Sequence, residues 1–121
     1  MDVTFIGLVL SVMSGAANPQ TIYTFKTAEK LQQECTTQVV AGQPLTFTLR
    51  SACLAYITAI VDVTETQKAS RNISKEFCIP RNATPLDAVK VVTGWMQRQS
   101  NLTGAASVAT IKALKENYPC A

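Results

Sequence analysis

Residues 49–63 read LRSACLAYITAIVDV, and their pattern decides the fold class. Apolar side chains recur here every three or four residues, at Cys53, Tyr56, Ile60 and Val63. This spacing places them on one face of an α-helix. We therefore predict an amphipathic helix over residues 49–68, whose apolar face belongs to a core.

The chain before this helix predicts another one. Its apolar residues again share one helix face, at Ala28, Leu31, Cys35 and Val39. We expect this helix to begin near Thr24 or Thr27 and to end near Val40. Gly42 and Pro44 follow, a combination typical of a helix end because glycine accepts positive φ and proline cannot continue the helix.

The chain after residue 68 changes character twice. Residues 70–76, SRNISKE, are polar and have no period, which predicts an exposed loop. Residues 77–80, FCIP, are apolar again. We expect them to anchor the chain back onto the core.

A third helix has a clear start signal. Thr84 can cap it, Pro85 suits its first position and Asp87 completes a T-x-x-D capping box. The predicted inner face consists of Leu86, Val89, Val92 and Met96, with Trp95 beside them. This helix should therefore pack on the same core.

A fourth helix is predicted over residues 102–117. Alanines occupy one side of it, at Ala105, Ala106, Ala109 and Ala113, and larger apolar residues occupy the other, at Ile111, Leu114 and Tyr118. Two apolar sides indicate a helix that is either sandwiched between others or packed against a second chain. General packing favours the sandwich.

These four helices predict an all-α fold, a small four-helix, mainly antiparallel bundle. The first 17 residues, MDVTFIGLVLSVMSGAA, are apolar over residues 3–13 and then small, as in a secretory signal peptide, although Asp2 is unusual there. We expect residues 1–17 to be removed and residues 18–121 to form a single exported domain. The apolar run is shorter than the about 20 residues of a membrane span, so we expect no membrane insertion after its removal.

Four cysteines in an exported domain predict two disulfides. Three pairings are allowed, and the sequence does not choose among them. We favour Cys35 with Cys53 and Cys78 with Cys120, which would stabilise the fold by about 3 and about 4 kcal/mol through loop closure.

The chain contains no histidine, which removes the commonest general base and metal ligand. It also lacks a C-x-x-C pair and a glycine-rich phosphate loop. Asp62, Glu65, Glu76 and Asp87 could supply a two-carboxylate site, but Asp87 has a capping role and Glu65 lies on a helix face where charges are normally solvated. Asp62 has no such explanation, because it follows the apolar residues 59–61. We expect no enzyme activity, no metal and no cofactor, and the modest charge of +3 without a basic cluster predicts no nucleic-acid partner.

Three motifs resemble one known family, the Rap/Tai family of type VI secretion amidase immunity proteins. They are ACLAYITAIVD at residues 52–62, FCIP at residues 77–80 and the terminal Pro119-Cys120. The resemblance extends over residues 28–121. The chain departs from the family at Ala59, where glycine is usual, and before the last helix, where it lacks a frequent proline.

The resemblance implies a periplasmic, disulfide-bonded domain that is often a homodimer. It also implies occlusion, in which a protruding loop enters the substrate groove of a peptidoglycan amidase. We expect the contact residues to be Arg71, Asn72, Ser74, Lys75 and Glu76, with Arg81 and Asn82 as neighbours. The alternative is a plain solvated connector.

Two other functions stay open. A small disulfide-bonded helical bundle could carry a small ligand or lipid in a cavity between its helices. The chain could also be an orphan binding domain of the same fold. An acid-activated chaperone is less favoured because no histidine titrates near neutral pH.

Overall fold

The computed structural model describes residues 25–71 and 76–121, and only the backbone of Arg71. Four α-helices lie in these ranges: α1 (Ala28–Thr36), α2 (Pro44–Arg71), α3 (Pro85–Gln97) and α4 (Ala106–Asn117). Every pair of helices is in contact, and no β-strand occurs in the described ranges. The predicted all-α bundle is confirmed, whereas the predicted signal peptide at residues 1–17 lies outside the described residues.

The core combines side chains from all four helices and from the connection before α3. Its largest fully buried members are Phe77, Leu31, Ile57, Met96 and Leu114. The four alanines predicted on one side of α4 are all buried within this chain, while Ile111 and Tyr118 on the other side are partly buried. The α4 helix is therefore sandwiched by its own chain.

Helix α1 begins as predicted and ends early. The Thr27 side chain caps it by accepting a hydrogen bond from the Lys30 N–H at 3.1 Å. Its end at Thr36 leaves Val39, predicted on the inner face, outside the helix and 45% exposed. The sequence TTQVV at residues 36–40 explains this end, because β-branched residues lose side-chain freedom in a helix.

Helix α2 is longer than predicted at both ends. It begins at Pro44, so the proline expected to block a helix instead occupies a first-turn position that needs no N–H donor. Gly42, at φ 83°, turns the chain just before it. The helix then continues to Arg71, into the predicted loop. Val63, predicted on the inner face, is 52% exposed.

Helix α3 carries the predicted capping box. The Asp87 N–H donates to Thr84 Oγ1 at 3.1 Å, and Asp87 Oδ2 accepts from the Thr84 N–H at 2.8 Å. Leu86, predicted to face inward, is instead 59% exposed, and Ala88 is buried. Helical spacing predicts the direction of a side chain but not whether a neighbour lies in that direction.

The favoured disulfide pairing is confirmed. Cys35–Cys53 joins α1 to α2, and Cys78–Cys120 joins the segment before α3 to the end of the chain. All four cysteines are therefore paired. Disulfides of this kind are typical of proteins from oxidising compartments.

One buried charge was not predicted. Glu34 is 4% exposed, and its carboxylate accepts a hydrogen bond from Lys26 Nζ at 2.7 Å. The same amine lies 4.8 Å from the centre of the Tyr56 ring. Two backbone hydrogen bonds hold residues 26–28 to the start of α4. The Ala28 N–H donates to the Gly104 oxygen, and the Ala106 N–H donates to the Lys26 oxygen.

Candidate protein-binding site

The polar residues predicted to contact a partner fall on the connection 71–82, which we define as the residues from the last position of α2 to the turn before α3. Phe77, in its middle, is fully buried. The next residue, Cys78, donates its N–H to the Tyr118 oxygen at 2.8 Å and is disulfide-bonded to Cys120. The connection is therefore fixed to the C-terminal end of the bundle at its centre.

The predicted contact residues divide into three groups. Asn72, Ser74 and Lys75 lie outside the described residues. Arg71 is the last residue of α2, and Glu76 is exposed with its carboxylate 3.7 Å from Lys115 Nζ on α4.

Arg81 and Asn82 form the third group. They are exposed and adjacent in a turn, which is closed by a hydrogen bond from the Ala83 N–H to the Pro80 oxygen at 3.0 Å. Neither side chain makes a hydrogen bond or ion pair with another described residue. The turn therefore presents both polar groups to solvent.

A small pocket lies directly beside this turn, with a volume of about 140 Å³. Its walls come from α2, from both ends of the turn and from the start of α3, and include Thr58, Val61, Asp62, Ile79, Ala83 and Pro85. The sequence did not predict this pocket, because its walls are far apart along the chain. The one local signal was Asp62, a carboxylate directly after the apolar residues Ile60 and Val61.

The acidic residues considered as catalytic candidates have other surroundings. The pKa of Asp87 lies below its ordinary value. The largest cause is the hydrogen bond from the Thr84 backbone, followed by the hydrogen bond with the Thr84 side chain, and the positive charge of Lys90 contributes less. Glu76 is exposed beside Lys115. Within residues 25–71 and 76–121, no group of three or more acidic or cysteine side chains could hold a metal ion.

Two further pockets have polar walls. One, of about 190 Å³, lies between α3 and α4 and includes Trp95, Asn101 and Lys112. The other, of about 370 Å³, lies beside the Cys35–Cys53 disulfide and includes Arg50 and Lys90. Neither contains a residue that the sequence predicted to contact a partner.

Comparison with known proteins identifies the family. The family model described as Rap1a immunity proteins matches residues 27–120, which includes all four helices and both disulfides. No curated protein matches the chain. Because the match extends over most of its length, the chain belongs to the Rap1a immunity protein family and functions in immunity by binding a secreted effector protein.

Proposed function

We propose that this immunity protein neutralises a peptidoglycan amidase delivered by type VI secretion, by covering the amidase's substrate groove in the periplasm. The observation that supports this most directly is the anchored connection 71–82. Buried Phe77 and the Cys78–Cys120 disulfide hold its centre, while Arg81 and Asn82 are exposed. A polar surface held in advance on a rigid frame binds with a smaller loss of conformational freedom.

The proposed contact residues are those of the connection 71–82: Arg71, Asn72, Ser74, Lys75, Glu76, Arg81 and Asn82. Arg81 and Asn82 are the best supported because their polar groups are exposed in a hydrogen-bonded turn. Glu76 can exchange its ion pair with Lys115 for one with a partner, because pairs between exposed side chains contribute only about 0–1 kcal/mol. Occlusion by these residues requires no catalytic group.

The periplasm is the proposed compartment. Two disulfides that use all four cysteines require an oxidising environment during folding. Residues 1–17 are the proposed signal peptide for export, which leaves residues 18–121 as the mature domain. Cell fractionation should recover the mature domain, shortened at its N-terminus, in the periplasmic fraction.

A growth-rescue assay tests the function. Bacteria that express a periplasmically targeted peptide-cleaving amidase should survive when they also express the full chain. They should die when the chain lacks residues 1–17 and stays in the cytosol. Lysis despite folded, oxidised protein in the periplasm, across a broad panel of such amidases, would contradict the proposed target.

A matched pair of charge reversals tests the contact residues. Arg81→Glu should weaken binding to a rescuing amidase at least about tenfold, because a rim or central charge is replaced by its opposite. Arg98→Glu changes another exposed arginine, at the C-cap of α3, and should alter the affinity less than about twofold. Equal losses of affinity in the two variants would show that the connection 71–82 is not the interface.

A homodimer is the second part of the proposal, and it uses the N-terminal apolar patch, which we define as Val39, Val40, Leu45 and Phe47. All four side chains are exposed, Leu45 to 67% and Phe47 to 55%. The Val40 N–H donates to Thr46 Oγ1 at 3.0 Å, which holds residues 39 and 40 close to the start of α2, where Leu45 and Phe47 lie. Clusters of exposed apolar residues mark protein interfaces.

Sedimentation velocity tests the homodimer. The wild type should sediment as a dimer, and Phe47→Ser should shift the equilibrium to the monomer. Val63→Ser removes an apolar side chain that is similarly exposed on the second half of α2 and should leave the dimer intact. A monomeric wild type at micromolar concentration would exclude this interface.

The pockets in the described part of the chain do not support a carrier of lipids or other apolar ligands. The apolar pocket has about 140 Å³, well below the about 300 Å³ at which small-molecule sites begin. The pocket of about 370 Å³ includes two cationic side chains and is unsuited to a lipid. Immunity is therefore the function that the geometry supports best.

A further inference from the structure

The pocket of about 140 Å³ between α2 and the start of α3 has one ionisable residue among its walls, Asp62. The remaining walls are mostly apolar and include Val61, Ile79 and Pro85. The Asp62 carboxylate makes no hydrogen bond or ion pair with any residue in the described ranges. Asp62 is exposed, so its carboxylate lies at the solvent-facing edge of a mostly apolar pocket.

This combination selects one kind of ligand. An anion would be repelled by Asp62, and a purely apolar group would leave its carboxylate without a partner of opposite charge. A cation on an aliphatic stem satisfies both parts, because lysine and arginine lay their methylene groups on apolar surface and keep the charge at its edge. The volume is too small for a whole ligand molecule and suits a single side chain.

We propose that this pocket receives a basic side chain of the partner protein, with its methylene stem against Val61 and Ile79 and its charge on Asp62. The pocket adjoins the turn of Arg81 and Asn82, so a partner bound to the connection 71–82 also covers it. The identity of the partner as an effector rests on the proposed function. The selectivity of the pocket for a cation with an aliphatic stem is independent of the proposed function.

A fragment titration tests the pocket without any effector. The full-length mature protein, labelled with ¹⁵N, is titrated with n-butylammonium chloride, which reproduces the end of a lysine side chain, against sodium chloride at equal ionic strength. Chemical shifts should change at residues 58–62 and 79–88. n-Butanol, which has the same stem without the charge, should bind about fivefold more weakly, the effect of one charge contact at a protein surface.

Two variants test whether Asp62 is the carboxylate that binds the ammonium group. Asp62→Asn should weaken butylammonium binding about fivefold, to the level of butanol. Glu29→Gln neutralises another exposed carboxylate, on α1, and should leave the affinity unchanged. Equal binding by the wild type and Asp62→Asn, or shifts centred outside residues 58–62 and 79–88, would overturn the proposal.

A rescuing amidase adds a second readout. Asp62→Lys should weaken its binding at least about tenfold, since the pocket would then repel a basic side chain, and Asp62→Asn should have a smaller effect. If the fragment binds as expected and no amidase is neutralised, the proposed target is wrong and the pocket's selectivity stands. If an amidase binds wild type, Asp62→Asn and Asp62→Lys equally, its basic side chain does not enter this pocket and the proposal fails.

Discussion

Helices α2 and α3 differ in how they use their apolar residues. Helix α2 has 28 residues and is long and apolar enough to cross a membrane by composition alone, yet only 11% of its most apolar stretch is buried. Helix α3 has 13 residues and buries Ala88, Val89, Val92, Trp95 and Met96. The shorter helix therefore contributes more side chains to the core.

The attachments of the two helices explain this difference. Helix α2 enters the core through Cys53 and Ile57 and is joined to α1 by the Cys35–Cys53 disulfide. Much of its remaining apolar surface faces outward, where a partner or a second copy can cover it. An apolar helix in a small domain can thus be fastened to the core at a few points and leave most of its apolar surface exposed.

The largest effect should come from removing the disulfides. Replacing both Cys78 and Cys120 by alanine should lower the free energy of unfolding by about 4 kcal/mol, and replacing Cys35 and Cys53 by about 3 kcal/mol, because the first pair closes the longer loop. Urea unfolding followed by circular dichroism measures both. A larger loss from the Cys35–Cys53 pair would mean that α2 depends on its disulfide beyond loop closure.

One side-chain truncation in each helix compares α3 with α2 directly. Met96→Ala in α3 should lower the free energy of unfolding by about 3 kcal/mol, because it leaves a cavity at a fully buried position. Phe47→Ala in α2 should change it by less than about 0.5 kcal/mol in dilute protein, because the ring is 55% exposed. A loss above about 2 kcal/mol for Phe47→Ala that grows with protein concentration would show that self-association buries this ring.

Two threonine-to-valine substitutions test the hydrogen bonding of buried hydroxyl groups on α3 and α4. Thr93 Oγ1, on α3, is buried without a hydrogen-bond partner among the described residues, so Thr93→Val should stabilise the fold by about 1 kcal/mol. Thr110 Oγ1, on α4, donates to the Ala106 oxygen at 2.8 Å, so Thr110→Val should destabilise it by about 1 kcal/mol. Chemical denaturation midpoints give both signs. Two changes of the same sign would contradict the assigned hydrogen bonding.

The smallest effect should come from the capping box of α3. Hydrogen bonds from Thr84 lower the pKa of Asp87 in the folded state, so its carboxylate stabilises the fold above the unfolded pKa of 3.8 and loses this effect as the pH falls through the lower folded pKa. Asp87→Asn should therefore lower Tm at pH 7, and the difference should shrink as the pH falls below 3.8. Parallel Tm curves from pH 7 to strong acid would show that protonation of Asp87 does not affect the cap.

Local signals predicted much of the fold. The capping box at Thr84 and Asp87 specified the start of α3 because its hydrogen bonds join residues three apart. The favoured cysteine pairing is present, although it was one of three that the sequence allowed. The start of α2 was missed because Pro44 is compatible with a helix end and with a first helical turn, and the local sequence does not decide between them.

Arg81 and Asn82 are exposed, but their contact with a partner stays a prediction. The sequence singled out the polar connection and the exposed pair Arg81 and Asn82, because runs without apolar periodicity are rarely buried. It could not show that Val61, Asp62 and Ile79 line one pocket, since their proximity depends on how α2 packs beside the start of α3.

The sequence by itself determined the helical class, the helix capping of α3, the cysteine content and the family. These properties depend on residues close in the chain or on motifs in a given order. Only the tertiary structure decided that Val63 and Leu86 are exposed, that Glu34 is buried against Lys26, and that Asp62 borders an apolar pocket. Burial and pairing depend on neighbours from distant parts of the chain, and a local pattern specifies which way a side chain points but not what it meets there.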